Sequence, residues 1–212
     1  RDGSVFSTGL DWGAAPNAGA IAAAAARLGA FALPLTSRDA ALLGQVQPGA
    51  YTAVVTGQSN AEGVALIEVY DATDGPVPRG VRITNLSTLS NAGVGENALL
   101  AGFSITGLVP KRLLIRGAGP ALAAFGVVGA LARPQLAVYS GNRILMQNAG
   151  WSASPDNMAI AQAAAGVGAF AFADGGADAA LLIYLSPGTY SAQVSGLNGA
   201  TGAALVEIYD AP

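Results

Sequence analysis

Pro187-Gly188-Thr189-Tyr190-Ser191-Ala192-Gln193-Val194-Ser195 follows a turn pair with alternating residues, and Pro48-Gly49-Ala50-Tyr51-Thr52-Ala53-Val54-Val55-Thr56 is its counterpart 139 positions earlier. A period of two puts Tyr190, Ala192 and Val194 on one face of a strand and Ser191, Gln193 and Ser195 on the other, the pattern of a sheet with one buried side. A turn rich in glycine and asparagine follows at 57–63 and again at 196–202. Beyond it, Ala65, Ile67 and Val69, and Ala204, Val206 and Ile208, share one side of a second strand. The two strands are expected to pair as an antiparallel hairpin with a longer loop.

Working outward, the likeness runs without a gap from Trp12–Ala72 to Trp151–Ala211, with 32 of 61 positions identical. Self-similarity of this kind marks a supersecondary unit used more than once. Another strand is expected at Ala41-Leu42-Leu43 and at Ala180-Leu181-Leu182-Ile183, and a short strand ahead of each tryptophan, at 4–6 and 143–146. Between them lies an alanine-rich segment that reads as a short helix. Ser154 can cap it, Pro155 suits its first turn, and Gly166 and Gly168 can end it, while the first copy keeps Pro16, Ile21 and Gly29.

Residues 73–139 are different in kind and are entered through Asp74-Gly75-Pro76-Val77-Pro78, whose two prolines mark a boundary. Strands are expected at 80–85, 99–106, 112–116 and 135–139, with a turn and one helical turn starting at Gly117-Ala118-Gly119-Pro120. The fold class is therefore mainly β: antiparallel β-sandwich or jelly-roll-like modules in tandem, with one short alanine-rich helix per repeat. Residues 1–72 and 140–212 are two copies of a C-type half-module, and residues 73–139 are an N-type half. In the order C, N, C the first half has no obvious mate, which exposes a sheet face or an edge strand.

The strings Val81-Arg82-Ile83-Thr84-Asn85-Leu86-Ser87-Thr88, Leu114-Ile115-Arg116-Gly117-Ala118-Gly119-Pro120-Ala121-Leu122, Val167-Gly168-Ala169-Phe170 and Pro187-Gly188-Thr189-Tyr190-Ser191-Ala192-Gln193-Val194 resemble a β-sandwich repeat module of large secreted or cell-surface bacterial proteins. The closing strands also look like the end of bacterial pre-peptidase C-terminal domains. The resemblance implies an exported, β-rich accessory or structural protein, extracellular or at the bacterial cell surface, with no catalytic or ligand-binding residues assigned. A chain beginning at Arg1 fits a processed product or an excerpt.

Composition narrows the chemistry. Of the 212 residues, 52% are apolar and 11% charged, so much of the surface must be small and uncharged, which tolerates close contact. One lysine and nine scattered arginines against a net charge of −3 give no basic stripe for nucleic acid. The absence of histidine and cysteine removes Ser/His/Asp and Cys/His catalysis and the usual zinc sites. The segment 19–35 is too short, and too rich in alanine, for a membrane span. Among acids, Asp39 recurs as Asp178 and Asp71 as Asp210, as structural turn or strand-end residues would; Asp11 does not recur. Glu68 and Glu207 lie opposite the apolar side of the last strand, where a solvated or hydrogen-bonded carboxylate is expected. No loop has calcium-type ligand spacing. Gly117-x-Gly119 lacks the third glycine of a dinucleotide loop, Asn85-Leu86-Ser87 is a formal glycosylation sequon, and Lys111 is the sole lysine for any Lys–Asn crosslink.

These readings make the chain a non-catalytic structural subunit of an extracellular bacterial assembly, a filament or surface layer, that forms a homo-oligomer or polymer through its unpaired first half. No cofactor or metal is expected. The self-association candidates are Val5, Phe6, Pro76 and Pro78. The alternative is a carbohydrate-binding or adhesive module stacking sugars on Trp12 and Trp151, with core packing as the competing role for both tryptophans.

Overall fold

The computed structural model describes residues 5–73 and 83–211, and the chain divides into two compact units, residues 1–82 and 83–212. The second unit contains eight strands: β1 (Asn85–Ala92), β2 (Leu99–Ile105), β3 (Lys111–Ala118), β4 (Pro134–Ser140), β5 (Arg143–Asn148), β6 (Ala179–Leu185), β7 (Gly188–Gly196) and β8 (Gly202–Asp210). They form two four-stranded sheets in the orders β1-β8-β3-β6 and β2-β7-β4-β5, and every ladder is antiparallel. The chain crosses between sheets at every connection except the β4–β5 hairpin. Ile115, Leu181 and Val206 from one sheet meet Leu136, Val138 and Val194 from the other in a single buried cluster, so the unit is a mainly β sandwich.

The expected hairpin of β7 and β8 does not form, because the two strands belong to different sheets. Alternation identifies which face of a strand is buried; it does not say whether the next strand lies beside it or across the core. Here Val194 and Val206 face one another through the core, and residues 197–201 arch between the sheets. The arch is tight. A Cβ on Gly196 would sit 1.8 Å from the carbonyl oxygen of Ala200, and Asn198 takes the left-handed region at φ 57°. The first copy keeps the same turn, with Gly57 against the Ala61 carbonyl at 1.9 Å and Ser59 at φ 53°.

The expected strand at 80–85 falls largely outside the described residues, and the ladder instead starts at Asn85 and continues to Ala92. Helix α2 (Asn157–Gly166) follows a 3-10 turn at Trp151–Ala153. Its Ile160 joins Trp151, Leu114, Ala180 and Tyr209 in a second buried cluster on the outer side of the β1-β8-β3-β6 sheet. That sheet is therefore covered on both faces. This explains why β8 has four consecutive buried residues, Val206 to Tyr209, where simple alternation predicts every second one.

Residues 5–73 have a different character. A 3-10 turn at Trp12–Ala14 and helix α1 (Ala18–Leu28) form, and α1 ends at Gly29 in the left-handed region, φ 74°, with its N–H on the carbonyls of Ala25 and Ala26. Alanine-rich composition favours this helix locally. Yet none of the strands expected at 4–6, 41–43, 51–55 or 65–69 is present among the described residues, and their side chains are mostly exposed. The reason lies in the second unit, where each of the six ladders joins a strand from 85–140 to one from 143–210. The C-type strands never pair with one another. A C-type half alone holds strand sequences without ladder partners.

Val194 is fully buried, whereas Val55, the same residue at the matching repeat position, is 55% exposed. Val194→Ala is expected to cost about 2 kcal/mol in urea denaturation followed by far-ultraviolet circular dichroism. Val55→Ala should stay within about 0.5 kcal/mol of the parent.

Candidate functional site

The most unusual chemistry in the chain is a buried charge where β3 meets β8. Arg116 and Glu207 are directly opposite in register on the outer face of the sheet, and on the other side of Arg116 the register partner is the small Ala180. The Arg116 side chain is 1% exposed. Its Nε lies 2.9 Å from Glu207 Oε2, and its Nη1 donates to the carbonyl of Phe170 at 2.6 Å. The rings of Phe170 and Phe172, set edge to face with each other, both pack against the group, with centroids 4.2 and 4.0 Å from Cζ. Tyr209 Oη donates to the second carboxylate oxygen, Glu207 Oε1, at 2.7 Å.

Burial pulls the Arg116 pKa below its ordinary value, while the Glu207 charge opposes that shift. Burial also pushes the Tyr209 phenol well above its ordinary 10.0, and its bond to the Glu207 carboxylate adds to the rise. The pair is sealed from water. Such a pair contributes little net stability over an apolar substitute, but removing one partner strands a buried charge.

A second polar contact anchors the turn after β3. Asp178 is buried, and its Oδ1 accepts the backbone N–H groups of Gly119 and Ala121 at 2.8 and 3.2 Å. The Asp178 carbonyl in turn accepts the N–H of Trp151 at 2.8 Å. One aspartate thus ties the Gly-x-Gly-Pro turn of the N-type half to the tryptophan turn of the C-type half. The recurring acid is a turn residue, as its repetition at Asp39 suggests.

Arg116 was not among the sequence candidates, although a lone arginine inside the apolar run Leu113-Leu114-Ile115, followed by Gly117, was a usable signal. Glu207, expected to be solvated or hydrogen-bonded, is hydrogen-bonded by Tyr209, and it is also buried and ion-paired. Trp12 and Trp151 are 4% and 6% exposed, and each donates its indole N–H to a carbonyl, of Pro34 and Ala173 respectively. Neither presents a face on which a sugar could stack. Val5 and Phe6 are exposed, with Phe6 edge-on to Tyr51, while Pro76 and Pro78 lie outside the described residues.

Asp71 is held below the usual carboxylate range by hydrogen bonds from the Thr73 hydroxyl and N–H. Lys111 pairs with Asp210, and Asn85 gives its amide N–H to the Ile208 carbonyl at 3.3 Å. Among the described residues no three His, Cys, Asp or Glu side chains converge as a metal site, and no helix is long and apolar enough to cross a membrane. Open grooves lie at matching places, beside Ser154, Pro155 and Leu182 in one unit and Ala15, Pro16 and Leu43 in the other.

No family model matches the chain, and no curated protein matches it. Among solved structures, the chain is similar to the pre-peptidase C-terminal domain of a collagenase from Bacillus anthracis, with 11% identity and a TM-score of 0.34. That match covers 59% of this chain and 89% of the other.

Arg116→Met should destabilise residues 83–212 by about 3–5 kcal/mol, and adding Glu207→Leu should recover most of the loss, both read from urea midpoints. Alkaline pH gives a second check. Because the folded state holds the Tyr209 proton above the ordinary value of 10.0, the unfolded state binds fewer protons there, and stability falls as pH rises past that value. Tyr209→Phe should flatten this alkaline loss in denaturation curves measured on both sides of it.

Proposed function

We propose that the chain is a non-catalytic structural subunit of an extracellular bacterial assembly, a filament or surface layer, built from tandem half-modules and joined through residues 1–72. The observation that carries this reading is the ladder pattern. All six ladders of the second unit cross between half types, and the described part of residues 1–72 holds only C-type strand sequences. Phe6, Phe31, Val46, Val54, Val64 and Leu66 are left exposed in segments without ladders, a combination of apolar surface and unpaired backbone that favours contact with another chain.

Edges for such contact exist in the second unit. β1, β6, β2 and β5 are the outer strands of the two sheets, and an extended segment can add to an open edge through main-chain hydrogen bonds. A contact between different surfaces of identical chains is heterologous and propagates unless its geometry closes. The extracellular setting is supported by the resemblance of the quoted strings to modules of secreted and cell-surface bacterial proteins.

Light scattering after size exclusion should show an apparent mass that rises with concentration, and negative-stain images should show repeating assemblies. Val5→Asp combined with Phe6→Asp should move the population toward monomer. A parent chain that remains monomeric at every concentration would refute the proposal.

A further inference from the structure

We infer that residues 1–72 form a socket for one kind of partner: an N-type half patterned like residues 83–140, whose third strand brings an arginine onto Glu68 and whose following turn brings two backbone N–H groups onto Asp39. The inference rests on the proposed reading that this half is a docking surface.

In the second unit three features of the C-type half receive the N-type half. Glu207 pairs with Arg116, Phe170 gives the guanidinium a ring face and a carbonyl, and Asp178 accepts Gly119 and Ala121 N–H. At the matching positions the first copy keeps Glu68, Phe31 and Asp39. Only the second ring differs, with Leu33 in place of Phe172.

The first copy also keeps the local geometry that aims these groups. Tyr70 Oη donates to Glu68 Oε1 at 3.1 Å, as Tyr209 does to Glu207 at 2.7 Å. Trp12 N–H donates to the Asp39 carbonyl at 3.0 Å, as Trp151 does to Asp178 at 2.8 Å. Tyr51 Oη reaches the Gln47 carbonyl at 2.9 Å, matching Tyr190 and Ser186 at 2.8 Å. Glu68, Asp39 and Phe31 are nevertheless all exposed, while Glu207 and Asp178 are buried. The receiving groups are in place without the strand that covers them: one carboxylate whose counterpart in the second unit faces a guanidinium, and one whose counterpart accepts two backbone N–H groups.

The N-type strands at 85–140 are already laddered with the strands at 143–210, so the occupant of residues 1–72 is another N-type half.

The test joins a second copy of residues 73–139 ahead of Arg1 in the full chain, in the phase that residues 139 and 140 already have. Amide exchange is then followed by mass spectrometry. Peptides from 40–71 should exchange roughly a hundredfold or more slowly than in the parent chain. Glu68→Gln in the extended chain, or Arg→Ala at the added equivalent of Arg116, should reverse that protection, and Glu207→Gln should not. Unchanged exchange in 40–71, protection indifferent to Glu68, or an extended chain that is insoluble where the parent is soluble would each overturn the inference. Failure of the assembly reading is seen separately, as a parent chain that stays monomeric whatever the extended chain does.

Discussion

Backbone pairing between strands of 85–140 and strands of 143–210 holds the second unit together. A strand edge in a protein interior must give its N–H and C=O groups a partner, since unpaired buried groups carry a large desolvation penalty. In residues 83–212 that requirement is met only by interleaving: β3 lies between β6 and β8, and β7 lies between β2 and β4. Only the β4–β5 ladder is local. The remaining ladders join positions far apart in the chain, from a separation of 124 between Asn85 and Tyr209 down to 52 between Tyr139 and Ser191. Such a topology has high contact order, which slows folding and makes each half dependent on the other.

The Arg116–Glu207 pair follows from this interleaving. An arginine in the middle of β3 would be prohibitive to bury alone, and Glu207 at its register partner, the rings of Phe170 and Phe172 packed against it and the small Ala180 beside it make burial tolerable. Shifting β3 against β8 by one residue would move the charge to the opposite face of the sheet, into the apolar core. The pair therefore acts on register more than on net stability. Gly117 is part of the same fit: a Cβ there would approach Val194 Cγ2 to 3.0 Å, so the two sheets could not keep their spacing without the valine giving way.

Much of the second unit was legible because its strands are short, apolar on one side and bounded by glycine, proline or asparagine. The expectations at 99–106, 112–116 and 135–139 meet β2, β3 and β4 within two residues at each end. The helix after Pro155 is also where composition puts it. Misreadings arose where a local pattern had two tertiary solutions. The β7 and β8 patterns suit a hairpin and an arch equally, and the choice was made by the partners β4 and β3. For Glu207 the strand pattern left a solvated and a hydrogen-bonded carboxylate both open, and only the approach of Arg116 from a strand 91 positions earlier explains its burial. In residues 5–73 the same strand patterns give no strands at all, since a pattern specifies a face to bury and not the neighbour that buries it.

By itself the sequence determined the local structure: the repeat and its phase, the turns at 57–61 and 196–200, the helices after Pro16 and Pro155, and the exclusion of histidine- and cysteine-based chemistry. These follow from backbone sterics, propensity and the side-chain inventory, all of which act over a few residues. Tertiary structure decided which strands pair, that the charge of Arg116 lies inside, and that one copy of the repeat is laddered while the other is not. Those outcomes depend on hydrogen-bonding groups supplied from far along the chain, so identical residues such as Val55 and Val194 end on a surface in one copy and in a core in the other.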